Sequence, residues 1–141
     1  MAVKELNPYI HFNGQAEEAI RHYEQALGAT LEGPIMRYSD APQAPPDEHR
    51  HQVMHSQLRI GGKLLMVSDA PPGYVGRMGG NLDVAIEYSD DAERARAFEA
   101  LAAGGTVTMP LADQFWGGRL GIVDDRFGVT WILLRNPQGA R

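Results

Sequence analysis

The sequence contains no cysteine, which excludes disulfide scaffolds, thiolate-held zinc or iron, and thiol nucleophiles. No run approaches the roughly 18 apolar residues of a membrane span. The opening stretch, MAVKELNP, lacks the basic-then-apolar order of a secretory signal. Positive charge is also scarce: 13 Lys and Arg against 18 Asp and Glu leave a net −5, the wrong sign for a phosphate-binding surface. The expectation is a cytoplasmic protein with neither nucleic acid nor a membrane as partner.

What is present is enough apolar material, 43% of 141 residues, to build the core of one domain. The 16 Gly and 9 Pro fall between periodic segments, as the punctuation of many short elements does. Leu6 to Phe12 alternates, with Leu6, Pro8, Ile10 and Phe12 on one face and Asn7, Tyr9 and His11 on the other, as in a half-buried strand. From Gln15 to Leu27, Ala16, Ala19, Ile20, Tyr23, Ala26 and Leu27 follow helical spacing, and Gly28 stands at the C-cap position.

Thr30 to Tyr38 reads as a second strand, and the prolines of residues 39–48 predict an irregular loop. His51 to Ile60 and Lys63 to Ser68 form a predicted hairpin about Gly61-Gly62. Val53, His55 and Gln57 should share one face of its first strand, and Met54, Leu58 and Ile60 the other. After a linker at about 70–80 the pattern restarts. Leu82 to Tyr88 alternates, Asp90 is placed to cap a helix over Asp91 to Ala103, and strands follow at Thr106 to Met109, Arg119 to Val123 and Val129 to Leu134.

The order strand-helix-strand-strand-strand therefore occurs twice, over units of about 5–69 and 81–135. Ala16, Glu17, Ala19, Gly28 and Thr30 match Ala92, Glu93, Ala95, Gly104 and Thr106 at a spacing of 76 (92 − 16). A helix covers one face of each sheet and leaves the other open, so two such sheets should bound a cleft. Asn7, Tyr9, His11, His55 and Gln57 are expected on the open side, with Asp83 and Glu87.

Residues 8–23 (PYIHFNGQAEEAIRHY), 53–58 (VMHSQL), 61–70 (GGKLLMVSDA), 108–111 (TMPL) and 115–131 (FWGGRLGIVDDRFGVTW) resemble the PhnB-like branch of the vicinal oxygen chelate superfamily, which includes glyoxalase I, extradiol dioxygenases and bleomycin-binding proteins. The resemblance runs from about Asn7 to Leu134. It implies an α+β fold of two βαβββ units forming cupped mixed sheets, and a homodimer. It also implies a divalent metal whose ligands would fall near Asn7 or Pro8, Met66, Asp83, and Ile132 or Trp131. Of these only Asp83 suits a hard or borderline cation. The methyltransferase label attached to some PhnB-like chains requires a Gly-rich turn leading into a helix. Gly61-Gly62 and Gly117-Gly118 each lead into strand-like sequence.

His49, His51 and His55 would share one face of a single strand, too widely spread to close a tetrahedron around a metal. His11 and His55, with Gln57 beside them, read as polar contacts of a core or a ligand. Phe115 and Trp116 could wall an apolar pocket with Arg119 meeting an anion, or Trp116 could plug a gap between sheets. Asp124 and Asp125 belong to a turn closed by Gly128, and Trp131 to the core. Met36, Met54, Met66, Met78 and Met109 suit an adaptable cavity or simple gap filling. The charged residues of both helices, Arg94 among them, should lie on solvated faces.

The expected pocket is thus Tyr9, His11, His55, Gln57, Met66, Asp83, Phe115, Trp116 and Arg119, with no catalytic residue and no cofactor. Three functions fit it: a protein binding a small organic ligand without a tightly held metal; a metal-dependent lyase, isomerase or dioxygenase using His11, His55 and Asp83; and a non-enzymatic sequestering or resistance protein.

Overall fold

A computed structural model of the chain describes residues 2–43, 45, 47–71, 73 and 80–137, and divides it into compact units of residues 1–77 and 78–141. Residues 72 and 74–79 of the predicted linker, Met78 among them, lie outside the described residues.

The first unit runs β1 (Tyr9–Phe12), α1 (Ala16–Leu27), β2 (Thr30–Leu31), β3 (Met36–Arg37), α2 (Asp47–Arg50), β4 (Val53–Ile60) and β5 (Lys63–Asp69). Its sheet order is β1-β5-β4-β2, with β3 also on β4. The second runs β6 (Val84–Glu87), α3 (Asp91–Ala102), β7 (Thr106–Asp113), β8 (Arg119–Asp124) and β9 (Thr130–Arg135), ordered β6-β9-β8-β7. In each unit the opening strand is parallel to the last one, and the other pairings are antiparallel. This is the twofold βαβββ arrangement expected from the sequence.

Helix α1 buries the six apolar residues that its periodicity singles out, and Gly28 ends it at φ 65°. Gln15 provides no side-chain cap. The buried carboxylate of Asp69, at the end of β5, takes that role: Oδ1 accepts from the N–H groups of Gly14 at 2.8 Å and Ala16 at 3.0 Å, and Oδ2 accepts from Val53 N–H at 2.9 Å. One side chain thus joins the start of α1, the start of β4 and the end of β5. In the second unit Asp90 caps α3 locally, accepting from Glu93 N–H at 2.7 Å.

Several expectations need correction. Thr30 to Tyr38 is two short strands, because Gly33 at φ 78° and Pro34 interrupt the ladder and a register shift follows at Met36. Residues 39–48 are not wholly irregular, since a 3-10 turn covers Tyr38–Asp40 and α2 begins at Asp47. His49 therefore lies on α2 and His51 in the turn after it, so only His55 of the three lies in a strand. Val53 is buried, apart from the half-buried His55 and Gln57, because the register shifts beside it.

The spacing of 76 is also one residue out over the start of the repeat. The opening strands and the helices begin 75 apart (84 − 9 and 91 − 16), and only the next strands begin 76 apart (106 − 30). Ala92 and Ala95 are consequently exposed, whereas Ala16 and Ala19 are buried. Arg94, expected in solvent, is 1% exposed and packs under α3. Its guanidinium donates to Asp91 Oδ1 at 2.6 Å and to the Tyr88 carbonyl, which offsets part of the cost of burying the charge.

Candidate functional site

Partners in a ladder share a face, so the register fixes what the open side of each sheet carries. In the first unit Tyr9 pairs with Met66 and Met66 with Gln57, forming one row across β1, β5 and β4. His11 pairs with Ser68, and His55 with Met36, in the next row. Tyr9, His11, His55, Gln57 and Met66, five of the nine residues expected in the pocket, thus occupy one face. The opposite face carries the buried Phe12, Leu58, Leu65 and Val67.

The rings of this face form a connected group. Tyr9 and His11 lie two residues apart on β1 and stack with centroids 4.4 Å apart at 29°. The Tyr9 ring reaches across β5 to meet His55 edge-on at 5.4 Å, placing its hydroxyl 2.7 Å from His55 Nδ1. His11 Nδ1 lies 2.7 Å from the hydroxyl of Ser68, which is buried beneath it. Nδ1 of each imidazole is thereby engaged, and each Nε2 has no protein partner among the described residues. Tyr38 stands nearby and donates to the Asp69 carbonyl at 2.9 Å. Burial raises its phenol above the usual 10, and Asp69 and then Tyr9 add to the rise.

Met36, Ser68 and Tyr38 complete the group without having been part of the expected pocket. Met36 stands out in the sequence only as one of the methionines suited to a cavity or to gap filling, and Ser68 and Tyr38 are unmarked there.

The second unit offers a different surface. Ala85, Met109, Ala112, Leu120, Ile122, Ile132 and Leu134 share its open face by register, with Glu87, whose carboxylate accepts from the Asn136 backbone and side-chain amides at 3.1 Å. Asp83 precedes β6 and is exposed. Arg119 pairs with Arg135, which bonds to Asp91 at the start of α3, so Arg119 lies on the helix side of the sheet. There it donates to Asp113 at 3.0 Å. Phe115 is fully exposed in the β7–β8 connection, and the Trp116 ring lies where a side chain on Gly118 would stand.

The residues do not fit the metal that the resemblance implies. Trp131 is buried and donates its indole N–H to Asp125 at 2.9 Å, Ile132 is aliphatic, and Met66 offers only a soft thioether. Asn7 donates to Glu5 at 3.4 Å. Among the described residues no three of His, Cys, Asp and Glu lie close enough together to hold a metal ion. His11 stacks on the Tyr9 ring and His55 meets it edge-on, and this pair, with both Nδ1 atoms engaged, has no third ligand beside it among the described residues.

Comparison with known proteins bears on this architecture. The profile of the Glyoxalase/Bleomycin resistance protein/Dioxygenase superfamily matches residues 5–133. Protein YjdN of Escherichia coli is 30% identical over 138 residues, covering 91% of this chain and 92% of that one. The crystal structure of protein PA1353 from Pseudomonas aeruginosa superposes with a TM-score of 0.86 at 37% identity, covering 96% of this chain and all of that one. A Bacillus cereus structure described as a putative 3-demethylubiquinone-9 3-methyltransferase, PhnB protein, has a TM-score of 0.77 at 22% identity, covering 92% and 98%; that likeness is one of fold alone. The repeated βαβββ units and the match along nearly the whole chain make it a member of the glyoxalase/bleomycin resistance protein/dioxygenase superfamily.

Proposed function

We propose that the chain binds a small organic molecule on the open face of its first sheet, over Tyr9, His11, His55, Gln57 and Met66, without a tightly held catalytic metal. The observation that carries this reading is the pattern of unused polar atoms. His11 Nε2, His55 Nε2 and the Gln57 amide share a half-exposed face with Met36 and Met66 and have no protein partner among the described residues. A few polar anchors set among apolar and aromatic side chains are what a small-molecule site requires. Asp83, Phe115, Trp116 and Arg119 stay with the second unit and form no part of the proposed site. A homodimer in the cytoplasm belongs to the same proposal.

The methyltransferase wording of the Bacillus cereus structure does not transfer. Gly61-Gly62 is the turn between β4 and β5, and Gly117-Gly118 lies between β7 and β8, so neither leads into a helix as a nucleotide-binding turn does.

The test combines elemental analysis of the purified protein with a thermal-shift screen of small organic molecules. The expected result is no stoichiometric metal, and a ligand that raises the melting temperature of the native chain but not of His55→Ala. Stoichiometric zinc, nickel, manganese or iron that is lost in His55→Ala would overturn the reading in favour of a metalloenzyme. Recovery of the ligand after incubation separates sequestration, which returns it unchanged, from turnover.

A further inference from the structure

We infer that Tyr9 and Ser68 fix the two imidazoles of this face as Nε2–H donors, and that the face therefore selects a planar aromatic ligand bearing a carboxylate. The inference rests on the proposed ligand site and names the class of molecule that the site takes. Two hydrogen bonds set the tautomers of these rings. A phenol is far more acidic than a neutral imidazole N–H and is a poor acceptor, because its lone pair is conjugated with the ring. At 2.7 Å, Tyr9 thus donates to Nδ1 of neutral His55, which leaves the imidazole proton on Nε2. Protonated His55 also carries a proton on Nε2, so in both charge states that edge is a donor.

The direction at His11 follows from burial instead: the Ser68 hydroxyl is buried and has His11 Nδ1, at 2.7 Å, as its one acceptor among the described residues, so a proton on Nδ1 would leave that hydroxyl unsatisfied, and the imidazole proton belongs on Nε2. Neither nitrogen then offers a lone pair to a metal or to a proton in flight. What these edges can do is hold an acceptor, with the Gln57 amide supplying a further donor beside them.

The shape and charge of the face narrow the ligand further. The Tyr9 ring is 39% exposed and is backed by the stacked His11 ring, which presents a rigid flat surface. Met66 pairs with Tyr9 and Met36 with His55, so thioethers border it, and these make favourable contacts with aromatic rings. Glu32 stands opposite Gln57, its N–H donating to the Gln57 carbonyl at 2.8 Å, but its carboxylate is turned to Arg59, which holds it at 2.9 Å with Glu5 near the same guanidinium. Arg59 is four residues along β4 from His55, or about 13 Å at the rise of a strand, so this carboxylate is neutralised by an ion pair directed away from the imidazole edges. A ring seated on Tyr9 with a carboxylate at the imidazole edges uses each of these groups, whereas a cation would find no unpaired carboxylate there among the described residues.

The experiment titrates the full chain with 2-naphthoate, decahydro-2-naphthoate and 2-naphthylmethylamine, reading the histidine ring nitrogens by 15N NMR together with the Met36 and Met66 methyl resonances. Support is a His55 spectrum of the Nε2–H tautomer in the free protein, with 2-naphthoate binding about fivefold or more tighter than its saturated counterpart and the amine failing to bind. Tyr9→Phe should keep the flat surface yet shift His55 towards mixed tautomers and weaken 2-naphthoate about fivefold, an effect that loss of packing alone would not produce. An Nδ1–H tautomer in the native chain, equal binding of the saturated acid, or preference for the amine would overturn the inference. If none of the three probes binds while another molecule shifts the two methyl resonances, the ligand class is overturned and the site stands. If no molecule shifts them, both fall.

Discussion

Trp131 and Asp125 meet inside the second unit, where the indole N–H donates to Asp125 Oδ2 at 2.9 Å and both residues are buried. Oδ1 of the same carboxylate accepts from Phe127 N–H at 2.9 Å and Val129 N–H at 3.0 Å, so the turn between β8 and β9 is organised around one charge that the core holds in place. Trp131→Phe removes a charge-assisted hydrogen bond and part of a ring from a packed interior. The expected loss is about 3 kcal/mol, read as a lower urea midpoint with an unchanged slope.

Asp69 performs the corresponding task in the first unit, from a greater distance in sequence. Asp69→Asn turns one of its oxygens into an N–H donor while Gly14, Ala16 and Val53 still present three donors to the side chain. At least one of them must then go without an acceptor, at a cost of about 2–4 kcal/mol. Amide hydrogen exchange is the sharper measurement. Protection should fall at Gly14, Ala16 and Val53 while the α3 amides of the second unit keep theirs, and uniform loss across both units would contradict the assignment.

These two carboxylates show where the sequence was legible and where it was not. Helix α1, the Asp90 cap and the open face of Tyr9, His11, His55 and Gln57 follow from local patterns of period 3.6 or 2, whereas Met66 comes from the family resemblance. Asp69 sits at the end of an alternating strand, and its role depends on backbone N–H groups 16 and more residues away in the chain, so no spacing rule finds it. The burial of Arg94 is missed for a different reason. Its spacing from Ala97, Phe98 and Leu101 is that of the buried face of α3, but its charge points to solvent until the Tyr88 carbonyl that receives it is known. The candidate site divides in the same way: alternation groups Tyr9, His11, His55 and Gln57, the resemblance adds Met66, and only the register sets Met36 and Ser68 beside them.

A third prediction concerns pH. Arg37 hydrogen-bonds the Glu17 carboxylate and holds it below its ordinary value of 4.5, against a smaller opposing effect of burial. The folded-state value is depressed, so the pair's contribution is complete above the unfolded value and is lost as pH falls through the lower folded one. Both side chains are about a third exposed or more, which limits the contribution to roughly 0.5 kcal/mol. Glu17→Gln should be destabilised by that amount at neutral pH, and the gap from the native chain should close as pH drops below about 4.5. A gap that persists at acid pH would place the effect in packing.

Gly118 is the subject of a fourth. A methyl group there would lie 1.9 Å from the Trp116 ring and 2.5 Å from the Arg135 carbonyl. The ring can swing outwards but the carbonyl is fixed in β9, so Gly118→Ala should cost about 1–3 kcal/mol. Trp116 fluorescence, measured against the buried Trp131 as an internal reference, should shift to longer wavelength. An unchanged spectrum would show that the ring does not pack over this glycine.

The free rim of β7 has a bearing on how the chain behaves at high concentration. Eight residues long and mostly exposed, this strand pairs with β8 alone among the described residues. A flat edge of that length would template the addition of further strands. Pro110 removes one N–H from it, and the register breaks between Val107 and Ala112, so an incoming strand meets no regular row of donors and acceptors. The same irregularity that makes Thr106 to Asp113 a poor ladder leaves Val107 and Met109 in contact with water without turning them into a seed for fibrils.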